Sequence, residues 1–169
     1  MFTRIDFSTL TLMDALDLAH LIEVEAFRRY TLFAAQLGQR GPGEPADVFR
    51  SMAANEEKHG EQLAGRRQLL FGDAPARVTL DDLFDVEAPD VGSARWNMSP
   101  RAAFDVALAA ERKAYAFYDA ALPSVRQPEV KALFEDLRDE EAEHVRMVEQ
   151  LIARLPPEAA IGLEDLDAD

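Results

Sequence analysis

The chain has no cysteine. That single absence removes disulfides, thiolate zinc sites, iron–sulfur clusters, cysteine-bound iron and thiol nucleophiles. It also fits a reducing compartment. Basic residues are scarce: 18 Lys and Arg face 32 Asp and Glu, for a formal net charge of -14. Nucleic acids and anionic membranes are polyanions, so this charge argues against both as partners and favours the attraction of cations. No stretch approaches the roughly 18 consecutive apolar residues of a membrane span. The opening MFTRIDFSTLTLMDALDL lacks a long apolar core and carries Asp6, Asp14 and Asp17, so it does not look like a signal peptide. The expectation is a cytoplasmic protein that binds neither nucleic acid nor membrane.

What is present is helical. At 169 residues, with 48% hydrophobic and 30% charged, one soluble domain is the default. Thr11 and Asp14 form a capping-box pattern, and apolar residues then recur at Leu16, Ala19, Phe27, Tyr30, Ala34 and Leu37. Gly38 stops this first helix and Gly41-Pro42-Gly43 turns the chain. A second helix runs from Pro45 to about Phe71, before Gly72. A third starts at Ser99-Pro100 and runs to about Leu122. A fourth starts near Pro128 and ends by Leu155, before Pro156-Pro157. Short turns make each successive pair an antiparallel hairpin, while residues 73–98, with a helical turn at Leu80 to Phe84, form a long crossover. The expected architecture is an all-α four-helix bundle over residues 1–155, followed by an acidic, mobile tail at 156–169.

Within this frame one pattern occurs twice. Glu23 on the first helix is followed by Glu56-x-x-His59 on the second. Glu111 on the third is followed by Glu141-x-x-His144 on the fourth. Glu and His three apart share a helix face. Glu23 lies on the stripe of Leu16, Ala19, Phe27 and Tyr30, and Glu56 and His59 lie with Met52 and Leu63. Glu111 follows Ala107 and Leu108 and precedes Tyr115, and Glu141 and His144 align with Leu137, Val148 and Leu151. Four carboxylates in a core are strongly destabilising unless paired, protonated or metal-bound. Four carboxylates and two imidazoles form a ligand set for two metal ions within a bundle. The chain has three His, and two of them follow Glu at the same offset, which weighs against coincidence.

Other residues read less sharply. His20 shares the face of Glu23 and fits an additional ligand, a hydrogen-bond partner of a ligand, or a tucked-in core histidine. Tyr30 lies seven after Glu23 and Tyr118 seven after Glu111; both fit either partners of the ligating carboxylates or packed core tyrosines. Glu25, Glu57, Glu61, Glu140 and Glu143 fall on solvated faces by helical phase, and Trp96, Phe104 and Phe117 read as packing. Leu18, Leu21, Ile22 and Leu32 offer a second apolar strip on the first helix, from which a homodimer or higher homo-oligomer is expected.

These residues resemble the ferritin-like diiron-carboxylate proteins, near the rubrerythrin and bacterioferritin groups. Glu23-Val-Glu-Ala-Phe-Arg-Arg-Tyr30 looks like the first-helix signature of rubrerythrins. Phe49 through Glu56-Glu-Lys-His59 and Phe134 through Glu141-Ala-Glu-His144 look like the second and fourth. The resemblance implies the ferritin-like fold, with Glu23 and Glu111 as terminal ligands, Glu56 and Glu141 bridging, and His59 and His144 capping one metal each. There are two departures. Rubrerythrins usually carry another Glu where this chain has Ala114, and no cysteine-bound iron domain follows the bundle. The ligand set is therefore close to the bacterioferritin pattern.

Carboxylate and imidazole ligands suit iron, with manganese an alternative and zinc a substitute; no residue points to haem. The expected activity is that of a non-haem diiron oxidoreductase, a ferroxidase or a rubrerythrin-like peroxide reductase. It would use ferrous iron with dioxygen or hydrogen peroxide, or draw on a separate electron donor. An iron-binding or storage protein without turnover and a dimanganese catalase-like enzyme are the alternatives.

Overall fold

The computed structural model describes residues 5–37, 45–79 and 97–157. Four long helices carry the fold: α1 (Leu12–Leu37), α2 (Pro45–Phe71), α3 (Pro100–Ala121) and α4 (Pro128–Ala153). A 3-10 turn at Leu122–Ser124 links the last two, so α3 stops just short of the expected Leu122. The helix ends follow local chemistry. Asp14 and Thr11 close a reciprocal cap: the Asp14 N–H donates to Thr11 Oγ1 at 3.3 Å and the Thr11 N–H donates to Asp14 Oδ2 at 3.1 Å. Ser99 Oγ accepts from the Ala102 N–H at 3.2 Å, and Pro100 supplies the preset first turn of α3. Gly72 ends α2 with φ 55, a left-handed conformation that glycine adopts at little cost.

The bundle is two antiparallel hairpins. Arg67 bonds Asp17, His20 meets Gly60, and Phe33 packs on Phe49, so α1 and α2 run in opposite directions. Arg112 pairs with Glu149 and Tyr118 packs on Phe134, which sets α3 against α4 in the same way. Two apolar clusters then fix how the hairpins associate. One joins Leu16 and Leu18, Leu63, Phe117 and Tyr118, and Leu133 and Phe134. The other joins Tyr30 and Phe33, Phe49 and Met52, Ala103 and Ala107, and Val148. The start of α1 thus sits with the start of α4 and the ends of α2 and α3. Hence α2 and α3 run parallel, and the chain between them must retrace the bundle, a distance of about 40 Å at ~1.5 Å per helical residue. This is the ferritin-like topology with its long crossover.

The described start of that crossover is anchored. Arg77 bonds both carboxylate oxygens of Asp14 and the hydroxyl of Thr11, and Val78 is buried in the first cluster. Ile5, Phe7 and Leu10 cover the same end of the bundle. The glycines of the first turn, the helical turn at Leu80 to Phe84, Trp96 and most of the acidic tail lie outside the described residues.

Three details of the sequence reading are corrected. Leu18 and Ile22 are core residues, at 0% and 2% exposure, because α1 is covered on more of its circumference than a two-stripe reading allows. Of the second strip only Leu32 is largely exposed, so much of the apolar surface from which pairing was inferred is internal. Tyr115 and Leu151 also face outward, whereas Tyr118 and Val148 are buried as expected.

Candidate metal centre

Between the two apolar clusters the bundle holds a polar layer. Glu23, Glu56, Glu111 and Glu141 each come from a different helix, and none is more than 2% exposed. The periodicity that buries Ala19, Ala26 and Tyr30 of α1 necessarily buries Glu23, and the same holds for Met52, Ala53 and Leu63 around Glu56. In the second hairpin, Ala107, Ala114 and Tyr118 flank Glu111, and Leu137 and Val148 flank Glu141. Chain direction does the rest. Antiparallel pairing brings Glu23 to Glu56 and His59, and Glu111 to Glu141 and His144.

The structure brings all six residues of the repeated pattern into two compact groups. Glu23, Glu56 and His59 each offer a ligand atom lying within 4.8 Å of the others, and Glu111, Glu141 and His144 do the same. His144 Nδ1 is 3.3 Å from an oxygen of Glu111 and 3.3 Å from an oxygen of Glu141. The groups face one another. The rings of His59 and His144 stack with centroids 4.9 Å apart and planes 2° from parallel, joining α2 to α4.

Electrostatics give this layer its character. Burial, and then the neighbouring charges of Glu111 and Glu23, push the Glu56 carboxyl well above the usual range. Burial pushes Glu141 up to about 7, with His144 opposing the shift. Burial pulls the His144 imidazole down, but its contacts with Glu111 and Glu141 outweigh that and hold it at about 11. His59 moves the other way, lowered by burial and by the positive charge of His144. No N–H or hydroxyl donor reaches either oxygen of Glu56; a bond to the Glu23 carboxyl requires a shared proton. One oxygen each of Glu111 and Glu141 has the His144 ring nitrogen, at 3.3 Å, as its polar neighbour. A layer of buried acceptors short of donors calls for cations. Oxygen and imidazole donors without sulfur match iron or manganese, so the residues present fit a dimetal site.

The remaining candidates separate. Tyr30 is fully buried and its hydroxyl donates to Glu111 Oε1 at 3.2 Å, crossing from one hairpin to the other. Tyr118 is equally buried, packed edge-on against Phe117 and Phe134. His20 is half-buried, and its Nδ1–H donates to the Gly60 carbonyl at 3.0 Å. That ring nitrogen is engaged by the backbone beside His59 rather than by a carboxylate. Ala114, where rubrerythrins usually have another Glu, is 0% exposed, so a methyl occupies that internal position.

A family model described as Rubrerythrin matches residues 14–152, which span all six residues. The chain belongs to the rubrerythrin family. An uncharacterised conserved protein from Magnetospirillum magnetotacticum MS-1 is 30% identical, with a TM-score of 0.67, over 87% of this chain and 97% of that one. Bacterioferritin from Rhodobacter capsulatus, whose structure has a metal-free dinuclear site and a haem iron, is 24% identical over 87% of this chain and 88% of its own, with a TM-score of 0.58. A hypothetical protein from Pyrococcus furiosus is 20% identical over 85% and 89%, with a TM-score of 0.53. The last two show the shared fold. No curated protein matches the chain.

Two features of this rubrerythrin-family centre escaped the sequence reading. The parallel stack of His59 on His144 depends on how the hairpins meet, which spacing within a hairpin does not reveal. The second is a pocket of ≈ 150 Å³ between α2 and α4, lined by His59, Gln62, Leu63 and Arg66 and by Leu133, Asp136, Leu137 and Glu140. Its signal was available: the same one-face spacing occurs on both helices.

Proposed function

We propose that this chain is a non-haem diiron oxidoreductase that oxidises ferrous iron, or reduces peroxide or dioxygen, at a carboxylate-bridged pair. Glu56 and Glu141 would bridge, Glu23 and Glu111 would hold one ion each from the sides, and His59 and His144 would cap one each. The observation that carries this reading is the meeting of two buried Glu/Glu/His groups across stacked imidazoles. When bound, an iron pair supplies one electron from each ion to a small oxidant.

The residues of the chain prepare that chemistry. The apolar clusters above and below the layer exclude bulk water from the carboxylates. Tyr30 fixes the orientation of Glu111 through its hydroxyl. Glu56, whose carboxyl is pushed well above the usual range, and Glu141, pushed up to about 7, can release a proton from an Oε atom as a cation arrives and take one up as it leaves. Peroxide reduction to water consumes protons as well as electrons, so groups that hold protons at neutral pH suit it. The methyl of Ala114 leaves the six-residue set without the extra acid of typical rubrerythrins, which favours ferroxidase-type chemistry.

Anaerobic titration with ferrous iron, followed by single-turnover mixing with hydrogen peroxide or dioxygen, tests the reading. Saturation at two ions per chain with rapid oxidation is expected. Accumulation far beyond two ions would favour storage, and rapid oxygen evolution from peroxide with manganese would favour the dimanganese enzyme. Failure to bind any paired metal would end the proposal.

A further inference from the structure

The six site residues are not equally hidden. The four carboxylates are at most 2% exposed, whereas the His144 side chain is 13% exposed and His59 is half-buried. The layer is therefore closest to solvent on its histidine side. The pocket between α2 and α4 lies there, and His59 is the one member of the six on its wall.

The pocket is built from one face of each helix. Leu63, Leu133 and Leu137 form buried wall, while Gln62, Arg66, Asp136 and Glu140 are exposed and frame the mouth. Its volume of ≈ 150 Å³ is roughly ten times the ~10–15 Å³ that one water centre requires, enough for a metal ion with its inner waters. Along the bundle axis the route to the carboxylates is closed by the two apolar clusters, each filled with aromatic and aliphatic side chains. A cleft bounded by apolar walls concentrates the field of the charges at its mouth. Here two carboxylates oppose one guanidinium, on a chain whose net charge is -14.

We propose that this pocket is the port by which divalent metal ions reach the centre, with Asp136 and Glu140 drawing the ion in and Arg66 opposing it. The inference rests on the dimetal reading above. It assigns to Glu140, Asp136 and Arg66 a role in selecting the charge of what enters. A hydrated dication passes from the acidic mouth to the imidazole of His59, then exchanges its waters for carboxylate oxygens.

Stopped-flow loading of the full-length, metal-free protein with cobalt(II), under anaerobic conditions, separates the two claims. Equilibrium stoichiometry tests the centre and the association rate tests the port. At low ionic strength, Asp136→Asn with Glu140→Gln should slow association by roughly 3–10-fold, within the range known for focused fields. Arg66→Gln should change the rate in the opposite direction, by roughly twofold or more. Gln62→Trp, which narrows the mouth from an exposed position, should slow it whatever the salt. All variants should still reach two ions per chain, and the charge effects should shrink as salt rises. Unchanged rates in all three variants, with two ions bound at the end point, would overturn the port and leave the centre intact. Loss of cobalt binding by the unaltered protein would overturn both. A melting curve for each variant identifies misfolding; the charge variants sit on exposed positions and keep the test decisive if Gln62→Trp fails to fold.

Discussion

Replacing Glu56 by Gln should make the metal-free protein more stable and the metal-loaded protein less so. Glu56 is 1% exposed and both its oxygens lack an N–H or hydroxyl donor. Its charged form is resisted by burial first and by Glu111 and Glu23 next. An uncompensated buried polar group costs about 1–3 kcal/mol, and more when charged. Proton uptake limits the larger figure, since the carboxyl escapes its charge by staying neutral. Gln has nearly the same shape and adds two N–H donors among carboxylate oxygens that want them. A gain of about 1–3 kcal/mol follows, or roughly 2–10 °C in melting temperature for a chain of this size. The gain has a definite pH dependence. A carboxyl raised above its ordinary value of 4.5 contributes no penalty below that value, and a growing one as pH climbs through and above it. The advantage of Glu56→Gln should therefore be larger at pH 8 than at pH 5.

Metal reverses the order. A ligand present at a hundred times its dissociation constant stabilises the unaltered protein by about 2.7 kcal/mol for each site. On the bridging role proposed for Glu56, an amide cannot join two cations as a carboxylate does, so the variant should lose most of that increment. Urea denaturation, run with chelator and then with excess ferrous iron or cobalt(II), reads both halves of the claim. The two stability curves should cross. A variant that is less stable than the unaltered protein in chelator would refute the idea that the carboxylates are held together against their own repulsion.

Three further outcomes follow from individual contacts. Tyr30→Phe removes the hydroxyl that donates to Glu111 and should cost about 0.5–1.5 kcal/mol in denaturant melts, while weakening metal affinity at the group containing His144. Asp14→Asn should cost about 1–2 kcal/mol at pH 7, because the carboxylate accepts from the Thr11 N–H and hydroxyl in the cap of α1 and binds Arg77. Burial would raise the Asp14 carboxyl, but bonds from Arg77 and Thr11 hold it below its ordinary 3.8. Its contribution is thus present above that value and lost as pH falls beneath it, so the difference between variant and parent should vanish near the bottom of an acid titration. Gly60→Ala should raise stability by about 0.5–1 kcal/mol, since helix-interior glycine is costly and the new methyl would sit 3.5 Å from Glu23 Cβ, an ordinary contact; a large loss in thermal melts would show that α1 and α2 have no room for it.

Much of this architecture was legible from local chemistry. Thr11 with Asp14, Ser99 with Pro100, and Gly72 each mark a helix boundary through a bond or a dihedral that their residue type supplies. The six candidate ligands were legible for a related reason. An acid on an apolar stripe has nowhere to go but inward, and four of them at matching heights can only meet. The parts that stayed hidden depend on the angular setting of one helix against another. Leu18 and Ile22 read as a separate strip because one-dimensional periodicity does not say how wide a face the neighbours cover. Tyr30 donates to Glu111 in the opposite hairpin, a partner that spacing within one hairpin does not name. Arg77 could not be matched to Asp14 in advance, because the partner lies across a connection of irregular backbone.

The asymmetry between the two halves is the last consequence of that packing. The repeat in the sequence is nearly exact in residue type, so identical metal affinities would be the simplest expectation. The structure separates them. His144 sits within 3.3 Å of two carboxylates, which push its imidazole up to about 11, while burial and the charge of His144 push His59 below its ordinary value, and His59 faces the pocket. A cation must displace a proton from His144 before that imidazole can serve as a ligand, and no such displacement is needed at His59. The group formed by Glu23, Glu56 and His59 is therefore the one that should fill first, and the second should fill with the larger proton release. Cobalt(II) titration in buffers of different ionisation heat reads the protons released at each step. Equal release in both steps, or filling of the His144 group ahead of the other, would show that the two halves are equivalent in solution and that the stacked imidazoles do not distinguish them.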